Sequence, residues 1–206
     1  MGYMRFRTNN GMSLSSGTVN QYYMGLNQLL IYVWEKYKEP SGEQLWKGLE
    51  IGAFMGESTH MFLSSGLFRG GFTVIDPWEG PIKGLQSKSD IEQFSWDKIK
   101  QDFENNVQMF YDRNWCDVNV IRGWSQNAHT LIDDESLDFI YIDGDHTYMG
   151  VKEDIQNYLP KLKKGGLMAG HDYELGAWSG VVDAVDHTIG QPEKVFMDSS
   201  WIKQIN

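Results

Sequence analysis

Five short apolar runs, GLEIGAF, GFTVID, VNVIRG, LDFIYID and GGLMAGHDY, recur along the chain, and each carries or ends on glycine or an acid. Helical spacing separates them. From Thr18 to about Lys38 apolar residues such as Val19, Leu26, Leu30 and Val33 recur at threes and fours. Similar patterns run from Ser58 to Phe68, over 91–113 and from Tyr148 to Leu162, with a shorter turn from Ala128 to Asp133 and a last helix from Gly180 to Ile189. Strands alternating with helices predict an α/β fold, a doubly wound, mostly parallel sheet covered on both faces. The closing pair EKVFMD and SSWIKQI has no helix between its members, which predicts an antiparallel hairpin at one edge and seven strands in all.

A length of 206 residues predicts one domain, with 1–45 as an N-terminal helical segment on the substrate side and 46–206 as the cofactor-binding core. The formal charge of −10 opposes binding to a phosphate backbone, and no basic patch offsets it. Lys161, Lys163 and Lys164 read instead as the cationic last turn of a helix. Cys116 is the only cysteine and fits a reducing compartment as a buried thiol. MGYMRFRTNN has no apolar core of a signal peptide, Phe6 replaces the Ser or Thr of a myristoylation signal, and no apolar run approaches a membrane span. The expectation is a soluble, cytoplasmic protein without nucleic-acid or membrane partners. A homo-oligomer is compatible with it.

In doubly wound sheets, ligands bind at the carboxyl ends of the strands where strand order reverses. The stretch LEIGAFMGESTH supplies Gly52 and Gly56 for a tight turn and close backbone approach, and Ser58 and Thr59 as caps and donors. A nucleotide phosphate and a carboxylate are both suitable guests. Neither a P-loop nor the G-x-G-x-x-G dinucleotide pattern is present. The next strand ends at Asp76, placed to accept from the two hydroxyls of a ribose. Together these features predict a nucleoside-containing cofactor.

EIGAFMGEST followed by VIDPW resembles the first two motifs of class I S-adenosylmethionine-dependent methyltransferases, in the catechol O-methyltransferase-type branch. RGWSQNAHTL is similar to the segment of that branch that packs beside adenine. The stretch from DFIYIDGDHTYMGVKEDI through GGLMAGHDY and WSGVVDAVD to SSWIK resembles small bacterial methyltransferases related to the macrolide-sugar and aminocoumarin-sugar O-methyltransferases. The resemblance implies a Rossmann-like fold, S-adenosyl-L-methionine as cofactor and O-methylation of a small-molecule acceptor, a sugar, polyol or phenol. It places Glu50, Gly52, Gly56 and Ser58 around the methionine end and Asp76 on the ribose. Ser125 and Gln126 would line the adenine, with Trp78 or Trp124 as a stacking wall.

LDFIYID ends on Asp143 and continues into Asp145 and His146, while the following strand ends on His171 and Asp172. One helical crossover between parallel strands brings Asp143 and Asp172 to the same edge. Two carboxylates there suit a divalent cation such as Mg²⁺, and Asp143 is in addition a candidate cofactor contact. The resemblance places a metal at Asp143, His171 and Asp172. His171 departs from the acidic or amide pattern of the family, and an imidazole ligand would favour Mn²⁺ or another transition metal. Asp145 matches the base of the sugar-methylating relatives, and His146 is the alternative proton acceptor. Asp145 as a simple helix cap, and His171 as a donor to a carbonyl, are the competing structural readings. His60, His129 and His187 lack metal-ligand spacing, and methionines such as Met109 and Met168 read as core filler. The segment from Tyr173 to Ser179 with Trp178, and the loop from Glu79 to Asp90, are candidate walls of an acceptor site. No [DNS]-P-P-[YFW] follows the fourth strand, which disfavours amino-directed nucleic-acid methylation. Metal-independent N-methylation of a small molecule and a cofactor-binding module without catalysis are the alternatives.

Overall fold

The computed structural model describes residues 21–37, 45–80, 95–113, 116–176 and 178–206. Its strands β1 (Lys47–Ile51), β2 (Gly71–Asp76), β3 (Val118–Arg122), β4 (Leu137–Ile142), β5 (Leu162–Gly170), β6 (Lys194–Val195) and β7 (Trp201–Gln204) form one seven-stranded sheet. The order is β3-β2-β1-β4-β5-β7-β6, and β1 to β5 run parallel. β7 is antiparallel to both β5 and β6. The expected terminal hairpin is therefore present, with β7 joining the parallel body and the two-residue β6 as the edge. Strand order reverses between β1 and β4, where Glu50 pairs with Tyr141.

The helices are α1 (Gln21–Lys36), α2 (Glu57–Ser64), α3 (Trp96–Arg113), α4 (Ser125–Ala128), α5 (Tyr148–Tyr158) and α6 (Ser179–Thr188). Successive residues of a strand face opposite ways, so β4 feeds two cores. Phe139 and Tyr141 pack with Leu29 of α1, Phe62 of α2 and Phe103 of α3. Ile140 and Ile142 pack with Val151 and Ile155 of α5 and Val185 of α6. All six β4 positions are buried, which is why its sequence from Phe139 onward is apolar without alternation.

Several boundaries differ from those the sequence predicts. α5 stops at Tyr158 and a 3-10 turn, Leu159–Lys161, carries Pro160, which has no N–H to continue the helix. β5 starts at Leu162, so Lys163 and Lys164 lie in a strand and not in a last helical turn. Lys163 pairs with Asp138 at 2.8 Å and Lys161 with Asp134 at 2.6 Å. The turn expected from Ala128 begins earlier, with α4 at Ser125 and a 3-10 turn over His129–Leu131. EKVFMD contributes only Lys194–Val195 to the sheet. Met168 is fully buried as expected, but Met109 is an exposed position of α3. The ends of the first predicted helix and all but the first two residues of the Glu79–Asp90 loop lie outside the described residues.

α1 is fastened to the turn before β7. The Asp198 carboxylate accepts from the Leu26 N–H at 2.6 Å and the Ser200 N–H at 2.9 Å. Gly25 makes this approach feasible, because a Cβ there would stand 1.8 Å from Asp198 Oδ1.

Candidate active site

Gly52 follows β1 with φ 84°, donates its N–H to the Ile75 carbonyl at 2.9 Å, and would place a Cβ 2.1 Å from the Asp143 carbonyl oxygen. Asp143 in turn donates its N–H to Ile51 at 2.8 Å. Only glycine lets the ends of β1 and β4 close this tightly. Gly56 precedes α2 with φ 81°, and a Cβ there would press on the Phe103 ring at 2.7 Å.

Asp76 ends β2 and organises this loop. Its Oδ2 accepts from the N–H groups of Ala53 and Phe54 at 2.9 and 3.0 Å, and its Oδ1 accepts from Trp78 N–H at 2.7 Å. Burial raises its pKa while the three amides oppose the rise. A carboxylate has about four acceptor positions, so one remains for a ligand hydroxyl. The sequence places Asp76 on a ribose, and the structure adds its work in shaping the glycine loop.

Glu50 is fully buried, and its two oxygens accept from the hydroxyls of Ser58 and Thr59. Burial lifts its pKa to about 8, against those two hydroxyls, with Asp143 and Asp76 adding to the rise. Glu50 and Ser58 thus face one another inside the loop. Thr59 is their third member; α2 starts at Glu57 behind Gly56, so Ser58 and Thr59, expected as caps, lie inside the helix and donate to Glu50 instead. Trp78 is 1% exposed, packs on Phe103 at 4.8 Å between ring centres and donates its indole N–H to the Phe54 carbonyl at 2.9 Å. It is a core residue in this conformation and presents no open face to a base. Ser125 is buried and Gln126 half-buried at the start of α4, with Trp124 at its N-cap.

Four titratable side chains meet where β4 and β5 end. Asp172 has a left-handed φ of 61° and stands between two imidazoles, His146 Nδ1 at 2.8 Å from Oδ2 and His171 Nδ1 at 3.0 Å from Oδ1. Burial works against its ionisation, but the two imidazoles hold its carboxyl well below the usual range. His171 is lifted to about 9, since Asp172 and Asp143 outweigh the effect of burial. His146 is raised for the same reason. Asp143 is raised by burial, against the opposing pull of His171 and His146.

Asp143, His146 and Asp172 offer one ligating atom each, all within 4.8 Å of one another. This two-carboxylate, one-imidazole set fits a divalent ion such as Mn²⁺, Fe²⁺ or Zn²⁺ better than Mg²⁺. The expected pairing of Asp143 with Asp172 is present. The imidazole that completes the group is His146, whereas His171, expected there, is 4.0 Å from Asp143 Oδ1 and turns to Asp172. Asp145 bends back over α5, accepting the Thr147 N–H at 2.8 Å on Oδ1 and packing against Gly150. The side-chain cap of α5 is Thr147, accepting from Gly150 N–H at 3.1 Å. Asp143, Asp145, His146 and His171 line a small pocket together with Ile142, Val151, Val181 and Trp201. Trp178 lies against His146, ring centres 4.9 Å apart.

Of the other singled-out residues, His60 contacts the Asn106 carbonyl through Nδ1 at 3.0 Å and packs on Phe110, and His187 packs on Tyr148. Cys116 is half-buried, its thiol contacting the Phe68 carbonyl at 3.0 Å and pushed up to about 11 by burial.

A strand order with a reversed β7, a glycine turn with no room for a Cβ, and an acid ending β2 define the class I S-adenosylmethionine-dependent methyltransferase fold. A family profile described as a methyltransferase domain matches residues 49–173, and the chain belongs to that family. Among solved structures, the O-methyltransferase NovP superposes with a TM-score of 0.59 at 18% identity, covering 87% of this chain and 77% of its own. A putative caffeoyl-CoA O-methyltransferase from Staphylococcus aureus gives 0.57 at 18%, covering 88% and 82%. CalS11, a TDP-rhamnose 3'-O-methyltransferase of calicheamicin biosynthesis, gives 0.57 at 13%, covering 87% and 77%. At these identities the likeness is one of fold. A curated relative, uncharacterized protein y4gI of Sinorhizobium fredii, is 38% identical over 52 residues, 23% of this chain, and the match spans 6% of that protein.

Proposed function

We propose that the chain transfers a methyl group from S-adenosylmethionine to a hydroxyl of a small sugar, polyol or phenol, with a divalent ion at Asp143, His146 and Asp172. The observation that carries this reading is the convergence of those three side chains at the strand ends beside the glycine loop. S-adenosylmethionine supplies an electrophilic methyl, and a divalent ion supplies the charge that lowers the pKa of an acceptor hydroxyl. Gly52 and Gly56 let the backbone approach the cofactor, and the free acceptor position of Asp76 takes a ribose hydroxyl. Asp145 lines the pocket with one oxygen fixed by Thr147, a fixed orientation that suits a proton acceptor. In metal-independent transfer His146, held by Asp172, is the alternative acceptor. Trp178 walls the site for an acceptor ring. The hydroxyl-directed names of NovP and CalS11 favour oxygen over nitrogen.

The charge of −10 argues for a small-molecule acceptor and against nucleic acid. No helix among the described residues is long and apolar enough to cross a membrane. We place the protein in the cytoplasm, as a possible homo-oligomer. The test is thermal stabilisation by S-adenosylhomocysteine, followed by methyl transfer to hydroxylated acceptors with Mn²⁺ or Mg²⁺ and with chelator. Stabilisation by NAD alone would overturn the cofactor reading. Full activity in chelator would overturn the metal and leave metal-independent transfer.

A further inference from the structure

We propose that Asp154 recognises the adenine amino group of S-adenosylmethionine, an assignment that rests on the chain using that cofactor. Asp154 lies on α5, is 1% exposed, and neither of its carboxylate oxygens has a hydrogen-bond partner. Native proteins rarely bury a carboxylate without partners, because the desolvation is uncompensated. Among the described residues, the buried side-chain atoms left unsatisfied are these two oxygens and His129 Nδ1. All three lie in one corner of the molecule. The His129 ring stands 6.2 Å from that of Tyr158, and the Tyr158 hydroxyl donates to the Ser125 carbonyl at 2.9 Å. Asp154 adjoins both Tyr158 and Ser125: the Ser125 hydroxyl is near enough to draw its pKa down against the rise from burial, without a well-formed hydrogen bond.

This corner borders the cofactor loops. A Cβ on Gly144, in the turn after β4, would stand 3.2 Å from Ile51 Cγ2 at the end of β1 and 3.9 Å from Asp154 Oδ2. Asp154 is thus bracketed by the ends of β1 and β4 and by Ser125 at the start of α4. An ionised carboxylate only accepts hydrogen bonds. On the adenine base of the cofactor the exocyclic amine is the donor that answers it, and the unprotonated ring nitrogens, which only accept, do not. Replacing that amine by a carbonyl oxygen sets acceptor against acceptor, and sites built this way discriminate strongly.

The test is calorimetric binding of S-adenosylhomocysteine and of its 6-oxo analogue, S-inosylhomocysteine, at pH 8.5, above the value of about 7 to which burial lifts this carboxyl. Wild type is expected to prefer the amine by about 100-fold or more, and Asp154→Asn, whose amide can donate to the 6-oxo group, by less than about tenfold. The ligand-free variant is expected to melt at or above wild type, since it loses an unpaired buried charge. A ligand-free variant melting well below wild type would assign Asp154 to the fold and overturn the proposal. Wild type that binds S-adenosylhomocysteine while Asp154→Asn keeps the full preference overturns this assignment alone. Wild type that does not bind S-adenosylhomocysteine overturns the cofactor reading and this assignment with it.

Discussion

His146 Nδ1 lies 2.8 Å from Asp172 Oδ2, joining the turn after β4 to the end of β5. The contact places this imidazole in the group with Asp143. His171, one residue before Asp172, holds the other oxygen at 3.0 Å.

Asp143→Asn and Asp172→Asn should each lower divalent-dependent transfer by about 100-fold or more, while S-adenosylhomocysteine binding changes by less than about threefold. Titration of chelator-treated protein with Mn²⁺, beside calorimetry of the cofactor product, separates the two effects. Equal loss of both would place these residues in cofactor binding.

The two imidazoles make a sharper comparison. His146→Gln should weaken Mn²⁺ binding by about 10- to 100-fold, and His171→Gln, which alters the support of Asp172 and the charge beside Asp143 but removes no ligand of the group, by clearly less. The reverse order would return His171 to the ligand set.

Glu50 gives a pH-dependent prediction. Its pKa near 8 in the folded protein exceeds the ordinary 4.5, so the folded state holds the proton more tightly. The associated stability is fully present below about pH 4.5 and is lost as the pH rises through 8. Glu50→Gln cannot lose a proton, so its melting temperature should gain on wild type from pH 5 to pH 8, on the order of a few kcal/mol in free energy. A gap independent of pH would contradict the protonated, buried state of Glu50.

Gly25→Ala tests the notch that admits Asp198. Alanine favours a helix by about 1 kcal/mol, but its Cβ would collide with the Asp198 carboxylate, and overpacking costs about 1–3 kcal/mol. Urea denaturation should therefore show a net loss in Gly25→Ala. Adding Asp198→Ala should cost less in that background than in wild type. Additive losses would mean the two residues do not meet.

Gly52→Ala should be more damaging, because its φ of 84° disfavours any side chain and the Cβ would meet backbone, the Asp143 carbonyl, at 2.1 Å. A loss of about 2 kcal/mol or more is expected, together with loss of cofactor binding. A stable variant with unchanged binding would show that β1 and β4 need not close at this point.

Much of the framework was legible in local pattern. The apolar run Phe139–Ile142 announced a strand buried on both faces, the alternation of strands with helices announced the parallel sheet, and the glycines with Asp76 announced the ligand-binding edge. These signals depend on near neighbours in the chain, through the periods of strand and helix and the conformational freedom of glycine. Pro160 was a local signal too, and reading the lysines after it as helix overlooked a residue that cannot continue one.

What only the tertiary structure decided was where side chains of similar chemistry point. His146 and His171 are equivalent as letters, yet the left-handed turn at Asp172 and the register of β4 with β5 bring His146, and not His171, into the three-ligand group. Asp145 bends toward Thr147, Trp78 sinks against Phe103, and Asp154 is left facing Ser125 without a partner. Sequence by itself determined the alternation of strands and helices, the ligand-binding strand ends and the family. The pairing at the site depends on contacts between segments far apart in the chain, whose geometry is fixed by packing of the whole sheet and is not encoded in any one of them.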